Sequence, residues 1–120
     1  MANTFVGSAE FRWSNAVPVV VQHSTVINST QTGNQSIQNI QTIGTSAEAI
    51  VVGDVVPGYL YFKNTDATNY IDLGIENTAI TPIVFRLKAG EGVLVPTTNA
   101  TWYAKANTAP CDLLVAACDA

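Results

Sequence analysis

Short runs of β-branched and aromatic residues, each closed within a few positions by Gly, Pro or a cluster of Asn, Asp, Ser and Thr, recur along this 120-residue chain. No stretch holds a helical period for long. The cadence predicts an all-β domain of roughly eight to ten short strands, a sandwich or barrel with almost no helix. Ile83, Phe85 and Leu87 alternate with Val84, Arg86 and Lys88 up to the turn at Ala89-Gly90-Glu91-Gly92. Val93 to Pro96 and Thr101 to Ala106 follow as further strands. The last run, Cys111 to Cys118, is apolar on both faces, which suits a strand in mid-sheet or in a subunit contact.

Earlier in the chain, Tyr59 to Lys63 and Tyr70 to Leu73 read as strands, separated by Asn64-Thr65-Asp66-Ala67-Thr68-Asn69. Side chains of this kind hydrogen-bond to their own backbone and tolerate left-handed conformations, so the pair is predicted to form a β-hairpin. Thr45 and Glu48 have the spacing of a capping box and predict at most one helical turn, with Ala49 to Val52 as a short strand after it. Ile37, Ile40 and Ile43 stand three apart. On a strand that spacing puts isoleucines on both faces, so the expectation is a strand buried on both sides or one reset by a bulge. Phe5, Phe11 and Trp13 lie among small and polar residues and suit an extended arm or first strand that packs aromatics onto something else. Pro18 within Val17 to Val21 points to a strand start or a sheet edge.

Only 12% of the residues are charged and the net charge is -4, so solubility rests on hydroxyls and amides. Arg12, Lys63, Arg86, Lys88 and Lys105 are scattered, which argues against direct nucleic-acid binding. No apolar stretch reaches membrane-spanning length, and the N-terminus lacks a secretory pattern, so the expectation is folding in a cytoplasm with no membrane contact. Cys111 and Cys118, seven apart in one strand, fall on opposite faces about 23 Å apart and cannot bridge each other. The lone His23 has no nucleophile motif beside it, and phosphate-binding glycine loops are missing, so no catalytic residue, cofactor or metal is assigned. The triplets at Asn28, Asn34 and Asn99 match the glycosylation pattern but reflect an Asn- and Thr-rich composition. Asn64, Asp66, Asn69 and Asp72 could offer oxygens to calcium, although their spacing matches no established loop. A sugar site is the stronger binding alternative, with Trp13, Trp102, Tyr59, Tyr61, Tyr70 and Tyr103 as stacking faces and, as glycan contacts, Trp102 and Tyr103 with Asn64, Asp66 and Asn69; aromatics in strands more often serve core or subunit contact.

Gly44-Thr45-Ser46-Ala47-Glu48, Gly53-Asp54-Val55 with Pro57-Gly58-Tyr59-Leu60, and Lys63-Asn64 with Asp66-Ala67-Thr68-Asn69-Tyr70 resemble a family of small structural proteins of tailed bacteriophages. The resemblance continues through Leu87-Lys88-Ala89-Gly90-Glu91 and Tyr103-Ala104-Lys105-Ala106 to the final strand, and so covers the chain from Gly44 onward. Cysteines and alanines stand in that last strand where larger apolar or acidic residues would be usual. The resemblance implies a jelly-roll-like antiparallel β-sandwich over 44–120; the segment 1–43, which it does not cover, is expected to be an N-terminal arm and first strands contacting neighbours. The resemblance also implies a non-enzymatic virion protein that decorates or cements the capsid, a homo-oligomer of trimer type on the major capsid protein, assembled in the host cytoplasm. The alternative is a tail- or fibre-associated adhesion module that binds host glycan. Phe5, Phe11, Trp13, Asn64, Asp66, Asn69, Trp102 and Tyr103 are the candidate partner or glycan contacts.

Overall fold

A computed structural model describes residues 3–14, 20–31, 33, 35–76, 80, 82–97 and 101–119, with backbone alone at 3, 12–14 and 20–22. Ten strands and no helix make up the described chain. They are β1 (Asn3–Ser14), β2 (Val20–Gln31), β3 (Ser36–Ile43), β4 (Glu48–Ala49), β5 (Pro57–Asn64), β6 (Ile71–Gly74), β7 (Phe85–Leu87), β8 (Gly92–Pro96), β9 (Tyr103–Ala106) and β10 (Cys111–Asp119). All pairings are antiparallel. One four-stranded sheet has the order β3-β10-β5-β8 and the other β4-β9-β6-β7, while β1 and β2 form a separate two-stranded ribbon. The fold is therefore an antiparallel β-sandwich carrying an extended N-terminal element.

Period-2 alternation decides which side chains meet between the sheets. On β5 Leu60, Phe62 and Asn64 point inward, and on β10 Cys111, Leu113, Val115 and Ala117 do the same. The facing sheet supplies Ile71, Leu73, Leu87, Ala104 and Ala106. Phe62, Ile71, Leu73, Leu113 and Val115 have no exposed surface, and burial of such a side chain contributes about 1.5–3 kcal/mol. Large residues of the first sheet and the small Ala104 and Ala106 of β9 belong to one buried cluster between the layers. β10, apolar on both faces, lies in mid-sheet between β3 and β5, as its sequence predicts.

Four expectations need correction. The run from Tyr59 to Leu73 is not a hairpin, because β5 pairs with β8 and β10 whereas β6 pairs with β7 and β9. The Asn- and Asp-rich link carries the chain from one sheet to the other. Within the two four-stranded sheets, β6 and β7 are the one pair of consecutive strands that share a sheet. Second, Thr45 to Glu48 forms no helical turn: Glu48 accepts a hydrogen bond from the Gly44 N–H (3.2 Å) and another from Gln41 Nε2 (3.2 Å), stabilising a bend into the two-residue β4. Third, β3 keeps an unbroken register with β10 from Ser36 to Ile43, so no bulge resets it. Ile43 points inward and Ile40 outward, 62% exposed; its outer face is uncovered. Fourth, the strand expected from Ile83 begins at Phe85, and Ile83 is exposed. Pro18 lies outside the described residues.

Candidate functional site

The outer face of the β3-β10-β5-β8 sheet is built by the residues that the core does not use. Across the strands, the register sets Ile40, Leu114 and Lys63 in one row, Gln38, Ala116, Tyr61 and Leu94 in the next, and Ser36, Cys118, Tyr59 and Pro96 in a third. Lys63 is the one charged side chain among them. Tyr61 is 37% exposed, and Tyr59, Leu94, Leu114 and Ala116 are half-buried. A groove of about 320 Å³ runs through these rows, walled by Phe5, Tyr59, Tyr61, Leu94, Ala116 and Cys118. Burial pushes the Cys118 thiol up, only partly offset by a backbone hydrogen bond at Tyr59, so it is uncharged at neutral pH and behaves as a small apolar side chain. Both cysteines are free thiols, on opposite faces of β10.

The ribbon meets this face at its root. Phe5 stacks on Tyr59 with ring centroids 4.0 Å apart and planes within 5°. Two residues on, a Cβ at Gly7 would lie 2.8 Å from Leu94 Cδ2 and 2.8 Å from Phe5 Cζ, so a larger residue there would push these side-chain ends aside. Opposite these, Ile27 and Ser29 are half-buried and Gln31 is buried. Asp119 fixes the junction below. Its carboxylate accepts hydrogen bonds from the backbone N–H groups of Gln35 (3.0 Å) and Val56 (3.0 Å), and its own N–H donates to the Gln35 carbonyl. Beyond Gly7 the same face continues as Ala9 and Phe11 opposite Thr25 and His23, all exposed. Phe11 is 62% exposed, and Val6 and Val26 on the other face 64% and 65%.

The remaining candidates separate into different environments. Trp102 is a core residue at 8% exposure, packed against Phe62 and Phe85 at centroid distances of 6.0 and 5.8 Å, and presents no stacking face to a sugar. Its Nε1 finds no acceptor among the described residues. Tyr103, next to it on β9, is half-buried. Asn64 is completely buried; its Nδ2 donates to the carbonyls of Asn69 (2.8 Å) and Leu87 (2.9 Å), and its Oδ1 accepts from the Asp66 N–H (2.9 Å). Asp66 in turn accepts from the N–H groups of Thr68 (2.9 Å) and Asn69 (2.6 Å), which holds its carboxyl below the ordinary value. Asn69 Oδ1 is taken by the Thr108 hydroxyl. Polar atoms expected to bind a ligand thus hold the inter-sheet link instead. Trp13 has a side chain outside the described residues. No three His, Cys, Asp or Glu side chains among the described residues gather as a metal would require.

Leu94 and Ala116 are not among the contacts expected from sequence, whereas Tyr59 and Tyr61 are, as stacking faces for a sugar. Alternation in Tyr59 to Lys63 reveals that two tyrosines share the face away from Leu60 and Phe62, but no local signal tells that Leu94 and Ala116 lie beside them. No family model, curated protein or solved structure matches the chain.

Proposed function

We propose that this chain is a non-enzymatic virion structural protein of tailed bacteriophages, a capsid decoration or cement protein that works as a homo-oligomer on the major capsid protein at the head surface. One observation carries the reading: a complete sandwich holds out a 12-residue-per-strand ribbon whose apolar face continues past its own body. A two-stranded ribbon is marginal alone in water and gains stability by packing on a second surface. The wiring supports the same reading. Strands from the beginning and end of the body alternate in each sheet, β3 beside β10 and β4 beside β9, which is what winding two Greek keys into a jelly roll produces. The resemblance of the segments from Gly44 onward points to the phage class, and a trimer is the form it implies.

The mechanism is mechanical. Apolar surface buried across a subunit boundary, at about 25 cal/mol per Å², holds neighbouring capsid subunits against the outward pressure of packaged DNA. Glycan adhesion has less support, since Trp102 and Asn64 are taken up in the interior. Purified protein mixed with capsids lacking it is expected to co-sediment with them saturably and to raise the temperature at which they rupture. Capsids that sediment without it at saturating protein would refute the assignment.

A further inference from the structure

The face of the ribbon that docks at its root is the face that runs free at its tip. Phe5 and Gly7 spend it on Tyr59 and Leu94. Phe11 and Ala9 continue it into solvent. Phe11 is six residues beyond Phe5, about 20 Å at the strand rise of 3.3 Å per residue, so a ribbon anchored at Phe5 holds Phe11 out of reach of its own groove. That groove, of about 320 Å³, is open beside Tyr61, Leu94 and Ala116. An apolar cavity of about 150 Å³ suffices for a benzene ring. A phenyl side chain therefore fits in the groove by volume.

We propose that Phe11 of one copy seats in the Tyr59–Tyr61–Leu94–Ala116 groove of a second copy, making the N-terminal ribbon an exchanged arm that holds copies of this chain together. The occupant follows from the contact already made within one chain. The root shows what this sheet face accepts from this ribbon face, an aromatic ring stacked on tyrosine with the glycine backbone against leucine. The tip offers a related pair in the reverse order, Phe11 two residues after small Ala9, and the groove offers a second tyrosine two residues along β5 from the first. Charge does not oppose the contact: Lys63 is the one charged side chain in the three rows around the groove, and no acid or base other than His23 stands among Ala9, Phe11, Thr25 and His23. A contact of this kind joins two different patches, so it closes into a ring when every copy both gives and receives a ribbon. Ile40 and Leu114, exposed or half-exposed in the adjoining row, extend the receiving surface.

The inference rests on the homo-oligomeric part of the proposed function and not on its capsid part. Cys118 lies in the groove wall and Cys111 is buried on the other face of β10, which gives a chemical probe. Phe11→Cys, oxidised at mildly alkaline pH, is expected to form interchain disulfides on non-reducing gels, and Phe11→Cys combined with Cys118→Ser is expected to lose them. Light scattering should give wild-type protein a mass several times that of one chain. Phe11→Asp and, separately, Ala116→Trp, which fills the groove, should return it to one chain mass with an unchanged far-ultraviolet spectrum. Wild-type protein that stays monomeric at concentrations far above micromolar overturns the exchange, as does an oligomer whose mass Phe11→Asp leaves unaltered. Capsid co-sedimentation separates the two ideas: a monomer that still binds capsids defeats the arm exchange alone, and an oligomer that ignores capsids defeats the capsid role alone.

Discussion

Asn64 shows how a residue type that suggests binding can be consumed by the fold. Its amide reaches two carbonyls and one N–H, from the link at Asp66 and Asn69 and from Leu87 of β7, in a place with no solvent to take over. Asn64→Ala leaves those groups unpaired in the interior and is expected to destabilise by about 2–4 kcal/mol, since each orphaned buried polar group costs roughly 1–3 kcal/mol; urea unfolding followed by tryptophan fluorescence measures it. Trp102→Ala is expected to cost about 3–5 kcal/mol by emptying the space against Phe62 and Phe85. Loss of any binding in that variant would therefore report unfolding, not a lost contact. Asp66 has the opposite exposure and a pH signature. Backbone N–H donors from Asn69 and Thr68 hold its carboxyl below the ordinary value of 3.8. Its contribution to stability is thus fully present above that value and is lost as pH falls through the lowered one. Melting temperatures taken across the acid range should fall less steeply for Asp66→Asn than for wild type; equal slopes would show that the turn does not sense this carboxyl.

At the scale of elements, the ribbon and the sandwich are joined by a small set of contacts. Phe5 on Tyr59, Gly7 against Leu94, and Asp119 holding both Gln35 and Val56 make the root. Asp119→Ala frees two backbone donors at once and is expected to raise hydrogen exchange in the ribbon and at Val56 while leaving the core strands β5 and β10 protected. Uniform loss of protection would mean that ribbon and sandwich unfold as one unit. β6 and β7 are tied by a different device. Arg86 grips Asp72 through Nε and a terminal nitrogen at 2.7 and 3.0 Å and lies 4.1 Å over the Tyr70 ring. That pair is on the surface, where ion pairs contribute at most about 1 kcal/mol, so Arg86→Ala should lower stability only slightly.

For the whole molecule, the informative feature is an apolar sheet face left open beside an arm that projects from it. The described chain measures 49 × 36 × 23 Å along its principal axes, long for a domain of this size because the ribbon extends it. If the copies exchange arms, folding and assembly are linked by mass action. The melting temperature of wild-type protein is then expected to rise with protein concentration, and that of Phe11→Asp to be independent of it, as differential scanning calorimetry over a hundredfold dilution would read. A concentration-independent wild type would place the arm's partner outside this chain.

Sequence alone determined what is local. The alternation of Leu60 and Phe62 against Tyr59 and Tyr61, or of Leu113 and Val115 against Leu114 and Ala116, fixes which face of each strand is buried, because a strand has a period of two wherever it lies. Low charge, aromatic residues near the N-terminus and a doubly apolar last strand were legible for the same reason. Partner choice was not. Asn64 to Asn69 reads equally well as a hairpin tip or as a crossing between sheets, since the turn chemistry is identical and only the hydrogen bonds offered by Leu87, Asn69 and the distant strands β8 and β10 separate the two. Trp102 shows the same limit: whether it faces solvent or Phe62 depends on which strands flank β9. The groove at Tyr59, Tyr61, Leu94 and Ala116 joins three strands far apart in the chain, and its existence beside an arm too long to fill it is a decision of the tertiary structure.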